Sequence, residues 1–194
     1  MSWLFIDTLS SPAFICLFDN EKNITDSISW EGKHLEFDTL TESIDALLSR
    51  NTVIYPNIAA IVCIVWPGGF TGIRVTTLVA NSLGYSFQIP LYPVTVSDFF
   101  HCQNCPIPWL LPLTKTEVVF WENSTEPTPL IVKIAALQNL NNYTSNQVIP
   151  PLWGTIPHSQ ANNYQVFLDN FSFPEKVSLL HPLYARDPNV LMRK

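Results

Sequence analysis

Glycine is scarce in this chain: six residues among 194, with Gly154 the only one after Gly84. Nucleotide loops bring bare backbone N–H groups against phosphate and use glycine to do so. The second half of the chain therefore has almost no material for such a loop. Charge is also sparse, at 13% of residues, and ten Lys and Arg against sixteen Asp and Glu leave a net charge of −6. So few scattered cations cannot follow a nucleic-acid backbone unaided, and any nucleic-acid role requires a partner. No apolar span reaches membrane-crossing length, so no membrane role is expected. The N-terminal stretch MSWLFIDTLSSPAFICLF has no basic n-region and is interrupted by Asp7, which argues against a signal peptide. A strand-turn-helix Gly-x-Ser-x-Gly is absent, which removes the nucleophile-elbow hydrolases. The four cysteines, Cys16, Cys63, Cys102 and Cys105, are expected as thiols in a reducing cytoplasm. The sequons at Asn23, Asn123, Asn142 and Asn170 are then chance matches.

Hydrophobic residues make up 47% of the chain and there are sixteen prolines, enough apolar material for a substantial core. The first half alternates strands and helices. WLFID (3–7), AFICLFD (13–19) and NITDSISW (23–30) read as three strands. Phe37, Leu40, Ile44, Leu47 and Leu48 recur at helical spacing, with Glu36, Asp38, Glu42 and Asp45 on the other faces, which predicts an acidic amphipathic helix. AAIVCIVW (59–66) is a continuous apolar run, as a strand buried on both faces requires. The loop WPGGFTGIRV (66–75) leads into a helix over 71–86, ending near Gly84 or soon after, and IPLYPV (89–94) is the last strand of this half.

The texture changes at HCQNCPIPWLLPL (101–113), read as the divide between a lobe of residues 1–103 and a reduced lobe of 104–194. Beyond it, TEVVFWE (116–122) and PLIVKIAAL (129–137) read as strands, and 139–158 as loop. A short helix is expected over 159–169 and a short strand near 177–180.

This order, with PGGFTGIRV and IPLYPV in place, resembles the N-terminal lobe of the TsaB (YeaZ) family, whose loop reads close to GPGSFTGLR. TEVVFWE is similar to the family's second-lobe opening strand, and PLYARDP (182–188) to its terminal segment. The resemblance implies an α/β, actin-like ATPase (ribonuclease H-like) fold of two lobes. It further implies a non-catalytic cytoplasmic subunit that pairs with TsaD in forming threonylcarbamoyladenosine in tRNA. TsaE joins that complex, tRNA is met only through it, and the chain alone is either a monomer or a homodimer. On this resemblance Asp7, Trp66, Pro67, Gly68, Gly69, Phe70, Thr71, Gly72 and Arg74 are family-motif positions. The two N-terminal helices form the implied partner interface, through Phe37, Leu40, Ile44, Leu47, Leu48, Thr76, Thr77, Ala80 and Leu83.

The residues themselves speak against chemistry. Aligned through IPLYPVTVSDFFH, the positions that hold TsaD's two metal-binding histidines are Val96 and Phe100, neither of which offers a lone pair. His101 is one residue off, and the position at helical spacing before it is Ser97. The hairpin Asp7-Thr8-Leu9-Ser10-Ser11-Pro12 has no glycine and carries a proline without an N–H. Asp7 is either a relic of a metal-orienting carboxylate or a strand-end residue satisfying its own turn, and the second reading is favoured. Gly68, Gly69 and Gly72 either serve a sharp strand-to-helix turn or leave N–H groups for an anion. Trp66 stands where the family has glycine and favours the turn. No cofactor, metal or catalytic residue is expected. The alternative, a small-molecule kinase or ATPase of the same fold, lacks a second glycine loop. His101-Cys102-Gln103-Asn104-Cys105 invites zinc, but no second Cys pair follows, and plain thiols are expected. His34, His158 and His181 show no ligand spacing.

Overall fold

The computed structural model describes residues 1–31, 37–66, 70–122, 130–137, 142–145, 158–160 and 163–181. Five strands, β1 (Ser2–Asp7), β2 (Ala13–Phe18), β3 (Ile24–Trp30), β4 (Ile58–Trp66) and β5 (Leu91–Thr95), form one sheet in the order β3-β2-β1-β4-β5. β1 runs parallel to β4 and β4 to β5, while the β1–β2 and β2–β3 pairs are antiparallel. Helices α1 (Phe37–Arg50) and α2 (Phe70–Phe87) lie in sequence between these strands, and the short α3 (Val96–Cys102) follows them. A second sheet, ordered β10-β9-β6-β7-β8, holds β6 (Trp109–Pro112), β7 (Glu117–Trp121), β8 (Leu130–Lys133), β9 (Tyr143–Ser145) and β10 (His158–Gln160). Helix α4 (Tyr164–Asn170) follows it.

Alternation along the strands decides what each face buries. Leu4, Ile6, Ile15, Leu17, Ile61 and Cys63 point to one side and pack with Leu40, Ile44, Leu47 and Leu48 of α1 and Val79 and Ala80 of α2. Phe5, Cys16, Phe18, Val62, Ile64 and Val94 point to the other side. There they meet Phe99 and Phe100 of α3, Phe167 and Leu168 of α4, and Trp109, Leu111, Val119 and Trp121 of the second sheet. One apolar cluster therefore joins both sheets, with α3 and α4 contributing to it. The far face of the second sheet has its own small cluster of Leu110, Val118, Ile134, Leu137 and Tyr143. The expected boundary at 103/104 falls between α3 and β6.

Sequence and structure differ in five places. HCQNCPIPWLLPL contains the end of α3 and the strand β6, whose prolines sit outside it or at its last residue, Pro112, where a strand tolerates a missing donor. The run 129–137 breaks after Lys133 into a short 3-10 helix, Ile134–Leu137. The segment expected as loop over 139–158 contains β9. The expected helix starts only at Tyr164, with His158–Gln160 a strand. The strand near 177–180 is a single bridge, Val177 to Leu91. That bridge belongs to a strap, residues 171–181, which leaves α4 and crosses the β5 edge. Val177 N–H donates to the Leu91 carbonyl at 2.9 Å, and Leu180 is buried beside α2. The Asn81 amide grips the Leu180 backbone twice, donating to its carbonyl at 3.0 Å and accepting from its N–H at 2.8 Å.

Helices here end without glycine. In α1, Val53 N–H bonds the Leu48 carbonyl and Thr52 N–H the Ser49 carbonyl. Ile89 N–H bonds the Gly84 carbonyl after α2, and Cys105 N–H the Phe100 carbonyl after α3. These are Schellman closures, which place the intervening residue in the left-handed region. That residue is Thr52 (φ 55°), Gln88 (φ 55°) or Asn104 (φ 52°). Gly84 is therefore not the stop signal of α2. It lies inside the helix, where an added Cβ would meet the Leu91 side chain at 3.0 Å.

A β-branched residue is the poorest occupant of such a position. Thr52→Gly is expected to raise unfolding stability by about 0.5–1 kcal/mol in urea titrations, less than the full left-handed penalty because glycine costs more chain entropy. Unchanged or reduced stability would show that Thr52 is not strained.

Candidate functional site

At the end of β1 the chain turns sharply, and Asp7 holds the turn. Its Oδ1 accepts from the backbone N–H groups of Leu9 at 2.8 Å and Ser10 at 3.0 Å, and its Oδ2 accepts from the Ser10 hydroxyl. An Asp that bonds its own backbone two residues on forms an Asx turn. The hairpin is also fastened to α2, because the Thr8 hydroxyl bonds the Thr76 hydroxyl and the Gly72 carbonyl. Motif residues at 7 and 72 are thus drawn together around Thr8.

The remaining partner arrives from 157 positions away in sequence: Tyr164, first residue of α4, donates its phenol to Asp7 Oδ2 at 3.0 Å. Its ring lies flat on Phe14, with centroids 3.8 Å apart and planes inclined by 5°. Phe5 and Phe99 flank it at 5.8 and 5.3 Å. Asp7 is left with no accessible surface. Burial raises its carboxyl above the usual range, against the opposing pull of the Ser10, Leu9 and Tyr164 donors. Burial, with the adjacent carboxylate, also lifts the Tyr164 phenol well above its ordinary value.

Around this centre α4 is bonded to the first sheet and to α3. Gln165 accepts from Ile24 N–H at 3.1 Å and donates to the Lys22 carbonyl at 3.1 Å. Lys22 Nζ donates to the Phe171 carbonyl at 2.7 Å, Gln103 accepts from Asn163 N–H at 2.8 Å, and Asn170 donates to the Cys102 carbonyl at 3.0 Å. A phosphate or a cation at Asp7 would have to displace the phenol and the turn donors together. The residues present do not fit either group.

Val96 and Phe100, the positions expected to align with a metal-binding histidine pair, lie one turn apart on α3, and both side chains are wholly buried in the shared core. His101 is exposed, and Ser97 bonds the Thr95 hydroxyl at 2.8 Å. Helix α3 lies where no helix is expected from the sequence, although its signal is present. Thr95 and Asp98 form a capping box, with Asp98 N–H donating to Thr95 Oγ1 at 3.1 Å and Thr95 N–H to Asp98 Oδ2 at 3.1 Å. Tyr164 had no comparable signal, because nothing local couples it to residue 7.

Most residues expected at a partner interface serve the chain's own core. Leu40, Ile44, Leu47, Leu48 and Ala80 are buried under the sheet face, Thr76 and Thr77 are buried, and Leu83 is partly buried against them. The reason is that a helix on a sheet turns its apolar stripe to the sheet. Phe37 alone of the nine is exposed. The outward row of α2 is instead Arg74, Leu78, Ser82 and Tyr85, with Leu78 57% and Tyr85 82% exposed. Pro67, Gly68 and Gly69 lie outside the described residues, as do His34 and PLYARDP. Trp66 ends β4, and Phe70 and Thr71 begin α2. Cys102 and Cys105 are half-buried free thiols pushed up by burial, Cys105 to about 11, which disfavours the reactive thiolate. Among the described residues no three His, Cys, Asp or Glu side chains gather as a metal site, and no helix is long and apolar enough to cross a membrane.

Residues 33–107 match the family model described as TsaD: tRNA N6-adenosine threonylcarbamoyltransferase. No curated protein sequence matches the chain. Among solved structures it is similar to YeaZ from Pseudomonas aeruginosa, with a TM-score of 0.62 and 14% identity over 87% of this chain and 89% of that one. It is also similar to a crystal structure described as an uncharacterized protein with similarity to peptidase YeaZ from Pseudomonas aeruginosa. There the TM-score is 0.58 at 16% identity, over 74% of each chain. The resemblance read from the sequence is thus matched in architecture: the chain has the two-sheet, actin-like α/β fold of YeaZ.

Two measurements test the closure at Asp7. Tyr164→Phe removes a donor from a buried carboxyl and is expected to cost about 1–3 kcal/mol in urea unfolding. Because the folded carboxyl titrates above its unfolded value, its stabilising contribution is complete below about pH 4 and is lost as pH rises through the raised value. The stability of the wild-type protein relative to Asp7→Asn should therefore fall from pH 4 towards neutrality. A pH-independent difference would show that Asp7 titrates alike in both states.

Proposed function

We propose that this chain is a TsaB-like, non-catalytic partner subunit that docks α1 and α2 onto a TsaD-type transferase and supports threonylcarbamoyladenosine formation in tRNA. It acts in the cytoplasm, TsaE joins the complex, and tRNA is contacted only through the assembly. The observation that carries the reading is the enclosure of Asp7 by its own turn and by Tyr164. The place where a member of this fold would work on a nucleotide is filled by the protein itself. The match of residues 33–107 to the TsaD family model supports kinship with the proposed partner.

A surface is then the remaining route to function. The outward row of α2 is suited to it, since Leu78 and Tyr85 are large, exposed and one helical face apart from the buried stripe. Exposed apolar side chains gathered on one face mark interaction sites more than scattered ones do. The strap extends this region: Tyr85 and Gln88 share a groove with Lys176, Val177 and Ser178, and Leu179 beyond them is 50% exposed.

Size exclusion with light scattering should show a one-to-one complex between this chain and TsaD from the same organism. Leu78→Asp should weaken it by roughly 100-fold, in the range of a hot-spot loss, while leaving thermal unfolding of the isolated chain unchanged. A complex indifferent to Leu78→Asp and Tyr85→Ala would remove α2 from the interface. Micromolar, magnesium-dependent ATP binding by the isolated chain would overturn the non-catalytic part.

A further inference from the structure

The strap is held as a bound peptide is held. It runs from one face of the first sheet to the other: Phe171 and Phe173 belong to the cluster shared with the second sheet, whereas Val177 and Leu180 belong to the cluster of α1 and α2. Along 174–181 only Val177 and Leu180 turn inward, and the other six residues are exposed. Residues three apart on a straight strand point to opposite sides, but the chain bends at Ser178 and Leu179, so both anchors reach the same cluster. To the sheet the strap gives a single bridge, with Val177 N–H on the Leu91 carbonyl at 2.9 Å. Pairing does not spread from there, because Pro93, two residues on and facing the same edge of β5, has no N–H.

In place of a ladder, Asn81 of α2 supplies the second contact. Its amide donates to the Leu180 carbonyl at 3.0 Å and accepts from the Leu180 N–H at 2.8 Å. Both bonds go to the main chain, so they require an extended backbone and ignore the side chain that it carries. Selection comes from the seat, where Leu180 is 2% exposed in the cluster that holds Val79, Ala80, Ile89 and Leu91. Main-chain bonds for affinity and pockets for spaced side chains are the two parts of strand-type peptide recognition. The strap also leaves room beside it: between Tyr85 and Gln88 at the end of α2, Ile89 and Pro90 before β5, and Val177 lies an open groove of about 560 Å³. That volume falls in the range of sites that hold ligands.

We propose that the edge formed by Asn81 of α2 and Leu91 of β5 is a site for an extended peptide with apolar side chains at i and i+3, and that the strap is its tethered occupant. A tethered segment acts at high effective concentration. A free peptide therefore enters only in competition with the strap. The site does not depend on how α1 and α2 meet a partner.

The test uses the full chain with the strap weakened at either anchor and, as probe, a fluorescent synthetic peptide copying residues 172–181, its binding followed by anisotropy. Val177→Pro removes the donor to Leu91, and Leu180→Asp carries a charge that the apolar seat rejects. In each the tethered strap loses an anchor while Asn81, Leu91 and the seat are unchanged. The peptide should bind both variants about 100-fold more tightly than it binds the wild type, and a peptide with Ser at both anchor positions should bind neither. Adding Asn81→Ala to either variant should weaken binding by about tenfold or more. Equal binding to wild type and variants, binding indifferent to Asn81→Ala, or no binding to a folded variant would each overturn the proposal. Loss of the folded state in both variants would overturn it as well, since the strap would then be part of the fold and not the occupant of a site.

Discussion

A carboxylate without access to water must be met on every side by donors, and at Asp7 that demand organises the molecule. Its own turn supplies three donors and Tyr164 the fourth. The turn binds the first sheet to α2 through Thr8, and Tyr164 binds it to α4. Because α4 also carries Phe167 and Leu168 into the cluster that joins both sheets, the polar knot and the apolar core fix the same arrangement. Hydrogen bonds in such surroundings are strong because water does not compete, and an unmet group there is costly for the same reason.

A catalytic site in a two-sheet fold needs an accessible space with donors and acceptors held in reserve. Here Asp7 is satisfied internally by the phenol and the turn, and Val96 and Phe100 of α3 lie in the core. The outer side of α1 and α2 stays open to solvent. These helices divide their surface in a simple way, with aliphatic stripes on the sheet, acid on the outside of α1 and a row of Arg74, Leu78, Ser82 and Tyr85 on the outside of α2. The strap adds a further edge, held by the paired bonds from Asn81 to the Leu180 backbone.

The first half of the fold was legible because its signals are local. Continuous apolar strands and the 3.6-residue period of α1 located the elements to within a few residues. The second half was less so. β6 is four residues, the last of them a proline, and β9 only three, too short for any period to show. The strap pairs through a single bridge. Most residues expected at a partner interface lie in the core for a related reason: periodicity finds the apolar stripe of a helix, and on a sheet-packed helix that stripe belongs to the core. Leu78 and Tyr85 are two apolar side chains in a row shared with Arg74 and Ser82, and their exposure becomes visible only in the structure.

The sequence by itself determined the order of the early strands and helices, the paucity of glycine for phosphate loops and the lack of ligating side chains at 96 and 100. Each is a property of residue type and near-neighbour spacing. Only the tertiary structure decided that Asp7 is sealed by Tyr164, that the stripes of α1 and α2 face inward, and that the strap returns to α2 at Asn81. Each of these is a contact between residues distant along the chain, fixed by which buried groups find partners once the two sheets have packed together.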